Sequence, residues 1–320
     1  MNNNYLSISS FFDVQPIPNF LSLKFIKNKE TYLQMILEER PTAAFFLKYL
    51  NAIMIPWIIL AIIFGLYDLQ ISQAFVNFNS WWGKFGADFG EAPGYALIGI
   101  SLGILFGGSI KRVKLQKIPS FILSAISLGV MIYGVIDTNN KMAIISAFLS
   151  FPPAIFAGVT FSRDWCPYRK LAGAVILLAV INPLIFVQFL KYLWGRVRFR
   201  DLSADFSNFT PWYLPVRPKS PHSSFPSGHT AMGWMLLPLL FLVKDRTFKD
   251  PKRIGTIVAV FFWGVFVAIS RVRIGVHYAS DVLFSTVLAF LVTIFLQYFF
   301  YLWKRKKTIS EKEETNDRST

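Results

Sequence analysis

Charged residues are scarce in this chain of 320 residues. Lys, Arg, Asp and Glu together make up 16% of it, whereas a soluble domain usually carries about 25%. Hydrophobic residues make up 54%, aromatic residues alone make up 17%, and the mean hydropathy is positive. This balance argues against a soluble globular protein and indicates a chain that is solvated largely by lipid.

Cysteine and histidine are nearly absent as well. The single cysteine, Cys166, excludes an intrachain disulfide and a cysteine-rich metal site. The three histidines, His222, His229 and His277, are spread over 56 positions without the spacing of zinc ligands. We therefore expect neither a metal ion nor another cofactor.

Basic residues outnumber acidic ones, and the net charge is +15. Proteins that bind nucleic acid present such residues on a soluble face. Here the basic residues fall in short clusters between apolar runs, which is typical of membrane proteins. A nucleic-acid partner is therefore not expected.

From Phe45 onward, long apolar runs indicate membrane-spanning helices, which take about 20 residues each. The predicted spans are 45–67, 93–110, 119–137, 142–161, 170–190, 229–243, 254–270 and 279–303. The second and the sixth are the shortest. The predicted fold class is all-α, a polytopic transmembrane helical bundle of about eight spans.

Every second connection between these spans is basic. Clusters of Lys and Arg lie at 111–117, 163–170, 244–253 and 304–307. Because Lys and Arg concentrate in cytoplasmic loops, these segments are predicted to be cytoplasmic. The chain is thus predicted to be a multi-pass protein of the cell membrane with both termini in the cytoplasm.

Two segments carry cations on the side that this topology assigns to the outside. One is the connection 191–228, with Lys191, Arg196, Arg198, Arg200, Arg217 and Lys219; the other is the end of the seventh span, with Arg271 and Arg273. An anionic ligand would explain cations in these places. Arg196 and Arg200 are assigned either to a lipid head group or to solvent.

Three motifs combine cations with histidine and carboxylate at predicted span ends on this outer side. The first runs from Lys191 to Arg198, with six residues between the two cations. The second is Pro226-Ser227-Gly228-His229. In the third, Ser270-Arg271 is followed after five residues by His277 and after three more by Asp281. Convergence of separate motifs on one face is what a single active site requires.

The third motif contains the groups needed to attack a phosphorus atom. His277 and Asp281 are four residues apart, so on one helix they would share a face. The carboxylate of Asp281 could accept a hydrogen bond from one ring nitrogen and leave the other free to attack. His229, from the second motif, could then protonate the leaving group as general acid.

The other motif residues suit the binding of phosphate. Arginine is apt because its planar fork grips two oxygen atoms at once. The predicted phosphate ligands are Lys191, Arg198, Arg271, the hydroxyl of Ser227 and the backbone N–H of Gly228. Pro226 suits the first turn of a helix whose N-terminus would face the anion.

The order K-x6-R, P-S-G-H and S-R-x5-H-x3-D is similar to the three-part signature of the type 2 phosphatidic acid phosphatase superfamily. That family also includes undecaprenyl-pyrophosphate and phosphatidylglycerol-phosphate phosphatases, glucose-6-phosphatases and the soluble vanadium haloperoxidases. The resemblance covers residues 191–281. It implies a phosphatidic acid phosphatase/haloperoxidase-like helical core, a site at the outer leaflet, a covalent phosphohistidine and no metal. Phe199 departs from the pattern, because the family usually has proline there.

The resemblance also divides the chain. We predict an N-terminal cytoplasmic or interfacial segment at 1–43, N-terminal transmembrane spans at 44–169, a catalytic transmembrane core at 170–303 and a polar cytoplasmic tail at 304–320. Residues 1–43 suit either an amphipathic helix on the membrane surface or a partly ordered tail. Two of the five spans before Lys191 are additional to the family's usual number.

The expected function is hydrolysis of a lipid phosphomonoester or pyrophosphate by a metal-independent phosphatase. The candidate substrates are phosphatidate, phosphatidylglycerol phosphate and undecaprenyl pyrophosphate. Two alternatives stay open: a lipid phosphotransferase that uses the same site, and a transporter that binds an anionic lipid without cleaving it. Glu91 either helps to order the site or is simply interfacial. The sequence is silent on the oligomeric state.

Overall fold

The computed structural model describes residues 43–216 and 222–303, and these ranges contain helices and no strand. Seven of the helical segments are long and apolar enough to cross a membrane. The chain is therefore a multi-pass helical membrane protein, as its sequence predicts. The predicted N-terminal surface segment up to residue 42 and the polar tail from 304 lie outside the described residues.

Ten α-helices follow one another along the described chain. They are α1 (Ala43–Phe75), α2 (Trp81–Phe89), α3 (Ala92–Gly107), α4 (Ile118–Ile136), α5 (Asn140–Val159), α6 (Arg169–Ala179), α7 (Val187–Trp194), α8 (Gly228–Gly233), α9 (Pro251–Arg273) and α10 (Ala279–Gln297). A π-helical segment, Val180–Phe186, joins α6 to α7, and it contains Pro183, which has no backbone N–H to donate.

The sixth predicted span is shorter than the others. It consists of α8 followed by a 3₁₀-helix, Trp234–Leu242, and falls below the length of the seven long segments. A 3₁₀-helix rises about 2.0 Å per residue against about 1.5 Å in an α-helix, so the pair extends over about 27 Å. That length approaches the roughly 30 Å of a hydrocarbon core despite the small number of residues.

Several spans extend beyond their predicted bounds, and in the second and the fifth the extension includes charged residues. The second segment runs from Trp81 to Gly107 and is interrupted between α2 and α3, where Glu91 lies. The fifth runs from Cys166 to Asp201, with Lys191 in its last α-helix and Arg198 in the non-helical residues that follow this helix. The interruption in the second span and the end of the fifth span place Glu91, Lys191 and Arg198 at the same end of the bundle.

Small residues allow α3, α4 and α5 to pack closely, as is common between membrane helices. The Ser120 hydroxyl donates to the carbonyl of Pro153 at 3.1 Å, and that of Ser150 donates to the carbonyl of Ser124 at 2.8 Å. A Cβ atom on Gly103 would lie 2.8 Å from Oγ of Ser120. These contacts fasten the second, third and fourth spans to one another.

The helices alternate in direction, so their ends form two groups. We call the motif end the end at which α1, α4, α7 and α9 finish and α2, α5, α8 and α10 begin. At the opposite end two of the basic connections meet: Nζ of Lys117 is buried and donates to the carbonyl of Arg163 at 2.6 Å. It also lies 4.1 Å from the ring centre of Trp165.

The connection after α7 folds back into the bundle at the motif end. Nε1 of Trp212 donates to the carbonyl of Ala61 on α1 at 3.0 Å, and Trp212 packs against Phe284 of α10 with 4.6 Å between ring centres. Trp194 donates to the carbonyl of Trp212. This packing joins α1, the connection and α10 beside the motif residues.

Candidate active site

His277 lies in the tight connection between α9 and α10. Gly275 makes the turn possible because its φ of +67° is a conformation that side chains disfavour. The backbone N–H of His277 donates to the carbonyl of Arg271 at 3.3 Å, and only 3% of His277 is exposed. The imidazole is therefore held in a fixed, dry position.

The structure brings His277 and Asp281 together, but not along one helical face. Tyr278 caps α10, so His277 precedes the helix and Asp281 occupies its first turn. Nδ1 of His277 lies 3.5 Å from Oδ2 of Asp281. The sequence analysis placed both residues on one face of a helix, and that explanation was wrong. The two side chains nevertheless face each other.

Other donors fix the carboxylate of Asp281. Oδ2 accepts hydrogen bonds from the Ser224 hydroxyl at 2.5 Å and from the backbone N–H of Tyr278 at 3.0 Å. Oδ1 accepts from Nη1 of Arg196 at 2.7 Å. Asp281 is fully buried, so this network sets the direction in which it faces His277.

Burial is the main influence on His277. It lowers the pKa of His277 to about 4, and the positive charges of Arg271 and Lys191 act in the same direction, whereas Asp281 raises it. The imidazole is therefore neutral at neutral pH. With Nδ1 towards Asp281, the free electron pair lies on Nε2, the nitrogen available for attack.

His229 has a carboxylate of its own. Its Nδ1 lies 3.2 Å from Oε1 of Glu91, and the other carboxylate oxygen accepts a hydrogen bond from the Tyr95 hydroxyl at 3.1 Å. Of the two interpretations of Glu91, the contact favours ordering of the site. His229 is also close enough to feel the charges of Arg271, His277 and Lys191.

The three predicted cations also converge at the motif end. Arg271 is 6% exposed, and its Nε and Nη1 are buried without a hydrogen-bond partner in the described part of the chain. The same holds for Nε of Arg198. Nζ of Lys191 lies 3.6 Å from the place that a Cβ atom on Gly228 would occupy. Buried guanidinium N–H groups without partners are costly, and a bound anion would satisfy them.

Ser227 caps α8 and is completely buried. Its Oγ accepts from the backbone N–H of Thr230 at 3.3 Å and from the Thr230 hydroxyl at 2.9 Å. Pro226 therefore precedes the cap and does not lie in the first helical turn, so the sequence interpretation of Pro226 was wrong. Gly228 begins the helix beside Lys191.

Phe199, in place of the usual proline, begins a short 3₁₀ turn, Phe199–Asp201. Its ring stacks on Phe206 with 6.1 Å between centres and meets the edge of Tyr278 at 6.4 Å. The backbone N–H of Arg200 donates to the carbonyl of Gly275 at 3.0 Å. Aromatic packing and this hydrogen bond hold the segment against the connection that carries His277.

Arg196 and Asp68 are the residues that sequence reasoning missed. Arg196 is 1% exposed and contacts Asp281, so its assignment to a lipid head group or to solvent was wrong. Asp68 is fully buried in α1, far from the motifs in sequence. The predicted first span ended at residue 67, but α1 continues to Phe75, so Asp68 lies within an apolar helix, where acidic residues are rarely kept without a partner.

No group of three or more His, Cys, Asp or Glu side chains within residues 43–216 and 222–303 could hold a metal ion. The fold and the site together define a class: a multi-pass helical membrane protein that has, at one end of the bundle, two histidines that each face a carboxylate and buried arginine N–H groups without partners. Chemistry on a phosphate group suits such a set of residues.

Comparison with known proteins agrees with this class. Residues 172–306 match the family model of the PAP2 superfamily. Over 90 residues the chain is 41% identical to phosphatidylglycerophosphatase B of Haemophilus influenzae. The aligned region covers 27% of this chain and 34% of that protein. The chain thus aligns with about a third of its relative's length. No solved structure matches the chain.

Proposed function

We propose that the protein is a membrane lipid phosphatase that transfers phosphate to His277 and then to water. The observation that carries the proposal is the set of buried guanidinium N–H groups of Arg271 and Arg198 that lack partners, near a neutral histidine that an aspartate orients. The match to the PAP2 superfamily and the relative named phosphatidylglycerophosphatase B support a lipid phosphate as substrate.

In the first step, Nε2 of His277 attacks phosphorus and the bond from phosphorus to the leaving oxygen breaks. His229 donates a proton to that oxygen, and the negative charge of Asp281 stabilises the phosphorylated imidazole, which becomes cationic. In the second step, His229 takes a proton from water, water attacks phosphorus, and the N–P bond breaks. Inorganic phosphate leaves and both histidines return to their first state.

The phosphate oxygens are bound by Lys191, Arg198, Arg271 and the N–H of Gly228 throughout both steps. Arg271 and Arg198 offer N–H groups that are already desolvated, so little reorganisation is needed as charge develops on the oxygens. Ser227 contributes mainly by capping α8, which keeps Gly228 and His229 in place. The mechanism needs no metal ion.

The proposal is tested by phosphate release from purified protein in detergent. We expect release from at least one of phosphatidate, phosphatidylglycerol phosphate and undecaprenyl pyrophosphate, at the same rate with and without a chelator. A panel of this kind ranks the substrates, and an added acceptor alcohol distinguishes hydrolysis from phosphotransfer. Binding without release from any of the three lipids would contradict the phosphatase and favour the transporter.

The motif end is proposed to face the outside of the cell, with both termini in the cytoplasm. This orientation is supported by the basic connections at the opposite end, since Lys and Arg favour the cytoplasmic side. Cys166 is exposed at that opposite end, whereas Asp137 is exposed at the motif end between α4 and α5.

In intact cells, a membrane-impermeant maleimide is therefore expected to leave Cys166 unlabelled. The same reagent should label Asp137→Cys in a Cys166→Ser background, because that position faces the medium. Permeabilised cells are the control, and both cysteines should react there. Labelling of Cys166 but not of position 137 in intact cells would mean that the orientation is reversed.

A further inference from the structure

Arg196 lies buried between two aspartates that come from different parts of the chain. Its Nη1 donates to Oδ1 of Asp281 at 2.7 Å, and its Nη2 donates to Oδ2 of Asp68 at 2.9 Å. Asp281 and Asp68 are both fully buried. Asp281 faces His277, the proposed nucleophile. Arg196 contacts Asp281 directly, and Asp68 contacts Arg196 in turn.

The rest of the guanidinium of Arg196 is also occupied by protein groups. Nε donates to the carbonyl of Thr210 at 2.8 Å, and Nη1 donates also to the hydroxyl of Ser280 at 2.8 Å. The plane lies over the ring of Tyr278, 3.9 Å from its centre. Arg196 therefore differs from Arg198 and Arg271, and its contacts are those of a residue that holds other side chains.

Asp68 reaches this network from α1, which lies outside the region matched to the PAP2 superfamily. Its Oδ1 accepts from the backbone N–H of Ser280 at 3.0 Å, and its Oδ2 accepts from the hydroxyl of Ser280. The first N–H groups of a helix have no partner within the helix, so Asp68 also satisfies the start of α10. A charged side chain within an apolar span needs such partners.

The charges of this group explain why a second aspartate is present. Asp281 paired with Arg196 alone would form a neutral couple and would attract a positive charge on His277 only weakly. Asp68 lies against the other side of Arg196, so with both aspartates ionised the three residues together carry one net negative charge. His277 becomes cationic when it is phosphorylated, and that negative charge then stabilises it.

We propose that Asp68 and Arg196 are positioning residues of the active site: Arg196 fixes the carboxylate of Asp281, and Asp68 balances Arg196 so that Asp281 keeps its effective charge towards His277. The inference rests on the proposed phosphatase function. It assigns part of the site to α1, one of the N-terminal spans that the three motifs do not include.

Several charged or titratable groups surround His277, and a test must separate them from Asp68. Around the imidazole are Tyr278 in the same connection, Asp281 on α10, Arg271 on α9, Lys191 on α7, and His229 on α8 with its partner Glu91. All of these stay unchanged in variants of Asp68 and Arg196. A shift in the titration of His277 in those variants therefore reports the network alone.

The test compares the acid limb of kcat/KM, which reports the protonation of His277 in the free protein. Asp68→Asn reduces the net charge of the network to zero, so the limb is expected to move to lower pH, by about one unit. We also expect kcat at neutral pH to fall roughly tenfold to 100-fold with KM nearly unchanged. Short assays after a pH jump keep slow unfolding from affecting the profile.

The double variant Asp68→Asn with Arg196→Gln restores one net negative charge and should return the acid limb of kcat/KM to its wild-type pH. We expect kcat to stay low in this variant, because Asp281 is less firmly held. Two matched controls should leave the limb in place: Ser280→Ala removes a bridging hydroxyl without changing charge, and Asp137→Asn removes an exposed carboxylate at the motif end.

The positioning role of Asp68 and Arg196 would be overturned if the acid limb of kcat/KM lay at the same pH in wild type and Asp68→Asn. It would also be overturned if the limb did not return to the wild-type pH in the double variant. Should Asp68→Asn fail to fold, the double variant decides alone, because a limb away from the wild-type position contradicts the charge balance. Failure of the phosphatase proposal is a separate outcome: it would appear as absence of phosphate release from the wild-type protein itself.

Discussion

Replacing His277 with alanine is expected to lower kcat for phosphate release by a factor of about 10⁴ or more, the scale seen when a nucleophile is removed from an enzyme. Such a loss corresponds to about 5 kcal/mol or more of transition-state stabilisation. The reason is that the described site offers no other side chain in the same dry position, with one nitrogen facing a buried carboxylate and the other free.

The measurement is phosphate release in detergent, with wild type beside the variant and with chelator present. Added imidazole is a useful second arm, since the space left by the missing ring can admit it and partial recovery of release is expected. Size-exclusion chromatography and thermal unfolding must show that the variant is folded. A folded His277→Ala protein that keeps near-wild-type release would rule out His277 as the nucleophile.

Arg271→Lys is the substitution with the next largest expected effect. Lysine keeps the positive charge but loses the fork that can bind two phosphate oxygens, and the buried Nε and Nη1 of Arg271 have no partner in the described protein. We expect kcat/KM to fall by about 10²- to 10³-fold, since these contacts strengthen as charge develops on the phosphate. The fall should be seen with every lipid that is hydrolysed.

Arg273→Lys is the matched control, two residues further along the same helix. Nε of Arg273 is also buried without a partner in the described protein, but Nη1 donates to the carbonyl of Phe75 at 2.7 Å, and the guanidinium lies 5.2 Å from the ring centre of Phe75. Its contacts fasten α9 to α1, so phosphate release should stay within about twofold of wild type while stability declines slightly. Equal losses in both variants would contradict a specific phosphate contact by Arg271.

The membrane-spanning fold could be predicted from the sequence because its signal is local. Runs of apolar residues indicate helices in lipid wherever they occur, and seven of the predicted spans coincide with long apolar helices. The exception, Gly228–Leu242, is short in residues because more than half of it is a 3₁₀-helix. No feature of a single sequence distinguishes a 3₁₀ rise from an α rise over nine apolar residues.

The motif residues could be found because the order and spacing of their residue types resemble those of a known superfamily. Spacing could not separate Arg196 from Arg198, which are two positions apart in one basic segment. The difference between the two arginines depends on Gly195. Its φ of +56° ends α7, and the chain then turns so that Arg196 enters the bundle. The role of such a glycine depends on the fold around it.

Asp68 and Glu91 could not be assigned from spacing, because each meets its partner across more than 100 residues of chain. Asp68 contacts Arg196 only because α1 packs against α10, and Glu91 contacts His229 only because the second span is interrupted beside α8. The N-terminal spans therefore supply Glu91, which contacts His229, and Asp68, which is connected to His277 only through Arg196 and Asp281.

The most direct test of the account is capture of the covalent intermediate. Wild-type protein is mixed with a lipid whose phosphate is radiolabelled, and the reaction is stopped rapidly with alkali. We expect label bound to the protein at His277 through a phosphoramidate that is stable to alkali and lost in acid, and no label on His277→Ala. Phosphate released at the wild-type rate without any labelled protein, or label at another residue, would contradict it.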